Sequence, residues 1–504
     1  MPPDWANSLP ALVVVALAVA NIVICVVALG VLPGGRKPST AMAWLILVLA
    51  VPFLGMLAFL LLGSTTVGRR RRARQEQVNA SIMNGAHVGL LAQGRPGRLT
   101  PSLQGLVQLN RNLGMLPMTY GNTVELLVHY SGCIEAMRRE VAAAREYVHV
   151  QFYICSWDEM TTPFLEELVR ATERGVVVRL LFDHLGSRAI PHYRDFVARL
   201  RSTRIQWAAT LPIRPWAGEL RRPDLRNHRK ILVVDGRVAF SGSQNLIEPS
   251  YAKPKNQKLG RAWVELMARL EGPAVTELDA VFATDWLTET GEDLRALVGR
   301  AMTAGETARA AAGDARADAA TDVACQVVPS GPGFVTENNL RLFNGLLYSA
   351  NRRLSIASPY FVPDESLLYA VTTAAQRGVD VELFVSATAD QFMVAHAQRS
   401  YYDALLSAGV RIWLYPEPNV LHAKHFSVDD EVVVVGSSNM DMRSFALNYE
   451  VVMMMTGADI VRRLATVQDD YRSRSTELTS DAWRSRGRGA AYVDNVMRLT
   501  SALQ

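Results

Sequence analysis

The sequence predicts an α/β protein built from two similar halves that form one catalytic unit about a pseudo-twofold axis, preceded by an N-terminal two-helix transmembrane hairpin. Two long apolar stretches lie within the first 63 residues, a strand–helix–strand pattern then occurs twice, and each copy leads to the same His-x-Lys motif at the same spacing. At 504 residues the chain is also longer than one core usually organises.

The hairpin is expected over residues 1–68. Residues 11–32 and 41–63 carry no charge and are each about as long as the ~20 residues a spanning helix needs. Pro33-Gly34-Gly35-Arg36-Lys37-Pro38 between them is rich in turn formers. A cleavable signal peptide would begin with a basic segment, whereas the residues before Ala11 hold Asp4 and no Lys or Arg, and a second apolar run follows at once. Pro52 and Gly55 can bend that second run. Arg69, Arg70, Arg71, Arg72 and Arg74 outnumber Arg36 and Lys37, so the positive-inside rule places everything C-terminal in the cytoplasm, as a multi-pass cell-membrane protein with two spans. The arginines serve as a stop-transfer flank and also suit anionic headgroups. Residues 69–120 read as a basic flank and tether.

The first half is expected over 121–300. Tyr147 to Ile154 reads as a buried strand; a helix follows with Phe164, Leu165, Leu168 and Val169 on one face, ends at Arg174-Gly175, and gives way to a strand from Val176 to Phe182. The second half, 325–504, repeats this. Leu354 to Phe361 is the first strand, a helix runs through Leu367, Leu368 and Val371 to Arg377-Gly378, and Val379 to Val385 is the next strand. Residues 301–324, Ala-rich and without an apolar stripe, read as a solvated connector.

The chemistry sits at the end of each repeat. One copy is His228-Arg229-Lys230, Asp235 and Gly242-Ser243-Gln244-Asn245; the other is His422-Ala423-Lys424, Asp429 and Gly436-Ser437-Ser438-Asn439. His to Lys is two residues, Lys to Asp five and Asp to Gly seven in both. Residues i and i+2 of a strand share a face, so each His and Lys project together. Glycine allows the backbone close to a phosphate, and Ser and Asn can donate hydrogen bonds to it. A phosphodiester repels nucleophiles; a fixed Lys offsets that charge, one neutral imidazole attacks phosphorus, and a second, protonated, serves the leaving alkoxide. Two copies brought face to face supply both imidazoles.

These paired motifs resemble those of the phospholipase D superfamily, and nearly the whole chain resembles its bacterial cardiolipin synthase branch. The resemblance extends to Arg36 through Gly63 with Ala43-Trp44 at its start, Ser330-Gly331-Pro332, Ser358-Pro359-Tyr360-Phe361-Val362-Pro363, and Asn439-Met440-Asp441-Met442-Arg443-Ser444 through Asn448 and Glu450. It implies two phospholipase D-like halves that condense two phosphatidylglycerols into cardiolipin with loss of glycerol, without metal or other cofactor. It further implies anionic membrane lipid rather than nucleic acid as partner. By residue it implies His228 and His422 as nucleophile or acid/base, with Lys230, Lys424, Asn245 and Asn439 on the phosphate. Ser243 and Ser437 are expected there too, Asp235 and Asp429 tune the site, and Glu450 holds an imidazole. Glu265, in Trp263-Val264-Glu265, stands where the family more often has Asp. Leu246 to Lys258 departs from the family pattern.

The four cysteines form no Cys-x-x-Cys pair, so a zinc knot or a thiol-redox motif has no support. His129, His149, His184 and His192 lack ligand spacing and read as structural, and His425 alternates off the motif face toward a packing role. Trp207, Trp216 and Trp413 read as packing or lipid contacts. A water-using phospholipase D would share every motif residue. A nuclease would want a strongly basic groove with stacking aromatics, and the net charge is only +5.

Overall fold

The protein is described by a computed structural model covering residues 5–34, 38–63, 99–114, 116–213, 222–299, 318–334, 337–389 and 391–499. It forms two compact units, Met1–Thr66 and Val67–Gln504.

In the N-terminal unit α1 (Trp5–Val31) contains the expected first span. Val13–Val31 is, among the described residues, the one helical stretch long and apolar enough to cross a membrane. The second apolar run is not one straight helix. It is divided into α2 (Pro38–Ala50) and α3 (Pro52–Leu62). Pro52 lacks an N–H and its ring would clash with the carbonyl four residues back, so α2 stops before it. The run then folds back. Trp44 of α2 and Phe59 of α3 meet edge to face at 5.4 Å, whereas a straight helix would hold residues so spaced about 22 Å apart. Gly55 permits the bend, because a Cβ there would lie 2.7 Å from the Leu47 carbonyl oxygen. At 13 and 11 residues the two legs are only about 20 and 17 Å long. The basic run Arg69–Arg72 and Arg74 lies outside the described residues, as does Trp216. The described part of the expected tether holds a helix, Pro101–Gly114.

The second unit contains β1 (Thr119–Leu127), β2 (Tyr147–Phe152), β3 (Val177–Asp183), β4 (Gln206–Thr210), β5 (Arg226–Asn227), β6 (Ile231–Val234), β7 (Val238–Gly242), β8 (Trp263–Val264), β9 (Met267–Glu271) and β10 (Ala320–Ser330). Then follow β11 (Arg353–Ala357), β12 (Phe361–Val362), β13 (Asp380–Ser386), β14 (Arg411–Tyr415), β15 (Val420–Leu421), β16 (His425–Val428), β17 (Val432–Gly436), β18 (Met440–Asp441), β19 (Asn448–Thr456) and β20 (Thr476–Leu478). One sheet runs through both halves. Its centre is the antiparallel pair β1 and β10. Outward from it the order is β9-β7-β6-β2-β3-β4 on one side and β19-β17-β16-β11-β13-β14-β20 on the other. The two orders are equivalent strand for strand except for the added β20, so the sequence repeat is a repeat of topology. β10 begins within the expected connector, at Ala320, because Val323 and Cys325 fill the core behind β1.

Each half has the βαβ unit the periodicity predicts. The helix Thr162–Glu173 joins parallel β2 and β3, and Glu365–Gln376 joins β11 and β13. Phe164, Leu165 and Leu168 in one helix and Leu367 and Val371 in the other are buried against the sheet. Gly175 and Gly378 follow the helices at φ +90° and +91°, the left-handed conformation that ends a helix at low cost only for glycine. β6 is buried on both faces and is apolar throughout, whereas β2 and β11, also buried, carry His149, Gln151 and Ser355 between their apolar residues.

Candidate active site

Both motif histidines follow a two-residue strand that pairs in parallel with a strand of the opposite half. β5 lies on β19 with Asn227 opposite Tyr449, and β15 lies on β8 with Leu421 opposite Val264. One residue further along each register stand His228 beside Glu450 and His422 beside Glu265. The backbone continues the pairing: His228 N donates to the Tyr449 carbonyl at 2.9 Å, and His422 N to that of Val264 at 2.7 Å. The side chains complete it. His228 Nδ1 lies 3.0 and 3.1 Å from the two oxygens of Glu450 and 3.1 Å from the Ser437 carbonyl oxygen. His422 Nδ1 lies 2.7 Å from Glu265 Oε1. Each imidazole is therefore oriented by the carboxylate of the other half, and neither half is complete alone. With acceptors around Nδ1, the proton of a neutral ring sits there and Nε2 keeps its lone pair.

The two pairs differ electrostatically. Burial pushes the His228 imidazole down to about 4, over the upward pull of Glu450, so it is neutral at pH 7. Burial opposes ionisation of Glu450 as well, yet His228, Lys230 and Ser437 hold its carboxyl below the usual range. Burial pushes Glu265 up to about 7 in spite of Lys424. Lys230 Nζ and Lys424 Nζ fold back on the carbonyls of His228 and His422, at 2.6 and 2.5 Å. Each lysine is thus pinned by the main chain of its own motif. Burial draws Lys230 down to about 7. Arg229, the residue between His228 and Lys230, points the other way. It makes two 2.8 Å contacts to buried Asp285, which also accepts from Asn227 at 2.9 Å. Asp183 accepts from the Asn227 backbone at 3.0 Å. These carboxylates lock the strand that presents His228.

Four expected assignments change. Asp235 and Asp429 occupy the turns after β6 and β16, at φ +52° and +51°. Each is five strand-like residues, on the order of 16 Å, beyond its Lys. Asp235 accepts from the backbone N–H groups of Arg145, Glu146 and Tyr147 at 2.8–2.9 Å. Asp429 does the same for Asn351, Arg352 and Arg353. They anchor the entry to β2 and β11 through these backbone contacts. Asp235→Ala should therefore lower the melting temperature while kcat stays near that of the parent, since it removes the acceptor of three N–H groups, of which that of Tyr147 is part-buried. A fall in kcat at unchanged melting temperature would restore the tuning role.

Ser243 and Ser437 turn to the carboxylates behind the imidazoles and to the neighbouring strand rather than into the open side of the site. Ser437 Oγ donates to Glu450 Oε2 at 2.5 Å and accepts from Val451 N at 3.0 Å; Ser243 Oγ accepts from Leu266 N at 2.9 Å. The glycines before them serve the same packing. A Cβ on Gly242 would lie 2.3 Å from the Leu266 carbonyl oxygen, and one on Gly436 2.4 Å from that of Val451. Asn245 is linked to Glu265 through Tyr251, and Asn439 to Asp441. Asn245 Nδ2 donates to Tyr251 Oη at 2.8 Å, and Tyr251 Oη donates to Glu265 Oε1 at 3.3 Å. Asn439 Nδ2 donates to Asp441 at 3.0 Å. Each amide retains a second N–H.

Three tyrosines that neither His-x-Lys motif marks stand at the imidazoles. Tyr153 stands 4.9 Å from the His228 ring and 5.5 Å from Lys230 Nζ. Tyr251 and Tyr360 stand 6.3 and 6.4 Å from the His422 ring. Their one sequence signal is position: Tyr153 directly follows β2 and Tyr360 lies just past β11. His149 is structural as expected, paired with Asp279 at 2.6 Å. His425 is buried beside Tyr471, and burial holds it down, to about 3. Trp207 stacks on Phe182, and Trp413 donates to Glu382.

The chain is similar to known proteins along most of its length. A family model described as the phospholipase D-like domain of cardiolipin synthase matches residues 137–286 and 344–470, one stretch in each half. A phospholipase D-nuclease N-terminal model matches residues 16–64. The chain is 34% identical to cardiolipin synthase A of Yersinia pseudotuberculosis over 91% of its own length and 92% of the relative's. It is 33% identical to cardiolipin synthase A of Proteus mirabilis over 90% of each. Among solved structures, the phosphatidylserine synthase of Haemophilus influenzae superposes with a TM-score of 0.58 over 81% of this chain and all of the other; at 14% identity that likeness speaks for the fold. With both phospholipase D-like halves matched and relatives aligned along nine-tenths of their length, the chain belongs to the cardiolipin synthase family of phospholipase D-like phosphatidyltransferases.

Proposed function

We propose that the enzyme joins two phosphatidylglycerols into cardiolipin and glycerol through a phosphohistidine on His228. The observation that carries this is the crossed pairing of His228 with Glu450 and His422 with Glu265, which gives one buried site two imidazoles. Neutral His228 Nε2 attacks the phosphorus of the first lipid, and the phosphorus–oxygen bond to glycerol breaks. Protonated His422 gives its proton to the departing glycerol oxygen. A hydroxyl of the second lipid's glycerol then returns a proton to His422 as its oxygen attacks phosphorus, and the electrons of the phosphorus–nitrogen bond go back to His228. Lys230 and Lys424, with the spare N–H groups of Asn245 and Asn439, neutralise the non-bridging oxygens, where charge rises in the transition state. Purified full-length enzyme in phosphatidylglycerol micelles should release one glycerol per cardiolipin. Glycerol release matched by phosphatidic acid instead would make water the acceptor and defeat the reading.

The same reading puts the catalytic unit on the cytoplasmic face, with α1 as the membrane anchor and α2–α3 as the second apolar segment. If α2–α3 crosses, five arginines face two basic residues; if it turns back, all seven lie on one side. Either path favours the cytoplasm for the catalytic unit. Neutralising Arg69–Arg72 and Arg74 should give a mixed population by cysteine labelling of the catalytic unit. A wholly cytoplasmic population after that change would show that these arginines do not set the topology.

A further inference from the structure

The segment after Gly-Ser-x-Asn in the first half, the one that departs from the family pattern, runs past the site and out to solvent. Tyr251 belongs to the site: it touches Asn245 and Glu265, and its ring packs on Trp263 at 4.7 Å. Two residues on, the chain is exposed. Lys253, Lys255, Lys258 and Leu259 all face solvent, Leu259 with 51% of its surface. Residues 253–261 hold four basic side chains and no acidic one. The segment is tied down beneath, where Asn256 Nδ2 donates to the Ser250 carbonyl at 3.0 Å.

The second half supplies an apolar counterpart. The helix Phe392–Arg399 opens with Phe392 and Met393, 66% and 44% exposed. It is fixed to the catalytic wall at two points. Gln391 Nε2 donates to Tyr360 Oη at 3.0 Å, and Gln398 Oε1 accepts from Phe361 N at 2.9 Å. Tyr360 is the residue beside the His422 ring. The two exposed segments are joined across the halves, since Arg261 donates to Thr388 Oγ1 at 2.9 Å. Lysines and large apolar side chains thus share one rim, a single tyrosine away from His422 on each side.

We propose that this rim seats the catalytic unit on an anionic bilayer, so that a phospholipid headgroup passes from the membrane to His422 without a step through water. This rests on the phosphatidyltransfer reading. Lysines beside exposed Phe, Met and Leu match a surface of acidic headgroups over acyl chains. A nucleic acid would not call for Phe392 and Met393 bare beside the lysines, and an apolar patch next to a site read as acting on phospholipid suits a membrane.

The test uses the full chain in phosphatidylglycerol vesicles, beside a short-chain phosphatidylglycerol dispersed below its micelle threshold. Two variants are compared with the parent: Lys253→Gln with Lys255→Gln and Lys258→Gln, and Phe392→Ser with Met393→Ser. Each should lower cardiolipin formation in vesicles about tenfold or more, at roughly one basic contact's attraction per lysine, and leave turnover of the dispersed lipid within about twofold of the parent. The dispersed assay also reports folding. Equal rates on both substrates, or equal losses on both, overturn the rim. So does a change of oligomeric state in detergent as the sole effect, which would make the rim a contact between copies. An environment-sensitive fluorophore on Phe392→Cys should shift to the blue when the vesicles contain phosphatidylglycerol and not in neutral vesicles; no lipid-dependent shift also overturns it. If the parent makes no cardiolipin from either lipid, the failure lies with the reaction assigned and not with the rim.

Discussion

His228→Ala and His422→Ala should each remove nearly all turnover on phosphatidylglycerol, and the two losses should part when the leaving group improves. Loss of an attacking group that forms a covalent intermediate costs on the order of 10^5-fold or more. Loss of a general acid costs about 10²–10⁴-fold, and that cost shrinks when the departing oxygen needs no proton. A phosphatidyl ester of p-nitrophenol supplies such a leaving group. His422→Ala should recover nitrophenol release on it, and enzyme denatured at alkaline pH, where the phosphorus–nitrogen bond survives, should carry the phosphatidyl group on His228. His228→Ala should recover nothing. The assignment follows from the two electrostatic environments. Burial holds His228 neutral, down to about 4, and Glu450 is held in its ionised range, so Nδ1–H points at a carboxylate and Nε2 is a lone-pair donor. Recovery of the His228 variant instead reverses the roles. Full activity in both variants on the natural lipid removes the two-histidine mechanism.

The halves were legible in the sequence because strand and helix periods survive duplication and the motif spacing is the same in both copies. The partnership between halves was not. Spacing within a half says nothing about which carboxylate meets which imidazole; that depends on the parallel pairing of β5 with β19 and β15 with β8, four segments far apart in the chain. Asp235 misled for a related reason. Its fixed distance from Lys230 reflects the length of β6 and the turn that closes it, so identical spacing recorded a shared fold where it suggested shared chemistry. Ser243 and Ser437 follow a glycine that suits a phosphate loop, but the tight approach is to the carbonyl of the next strand. In the membrane unit Pro52 was visible as a potential bend. What hydropathy did not convey was the extent of the fold-back that brings Trp44 to Phe59.

Lys230 should produce the second large effect, and its pH dependence has a definite sign. Lys230→Met should lower kcat/KM by about 10²–10³-fold, the usual cost of removing one fixed donor from developing negative charge. In the free enzyme burial draws Lys230 down to about 7, with Lys424 pushing the same way and Glu450, Glu265 and Asp183 pulling it up. The working form is the protonated one, present below that pH and lost as pH rises through it, so kcat/KM should fall on the alkaline side of about 7. Bound phosphodiester brings a negative charge to the ammonium and raises its pKa, so the same limb in kcat should lie at higher pH. Glu265 also titrates near 7, and its ionisation favours protonated His422, which works in the opposite direction. Lys230→Arg separates the two groups, because guanidinium stays charged throughout. That variant should be slower, lacking the compact ammonium, but its alkaline limb in kcat/KM should disappear. An alkaline limb that persists unchanged in Lys230→Arg would assign the titration to another group and leave Lys230 charged in the free enzyme.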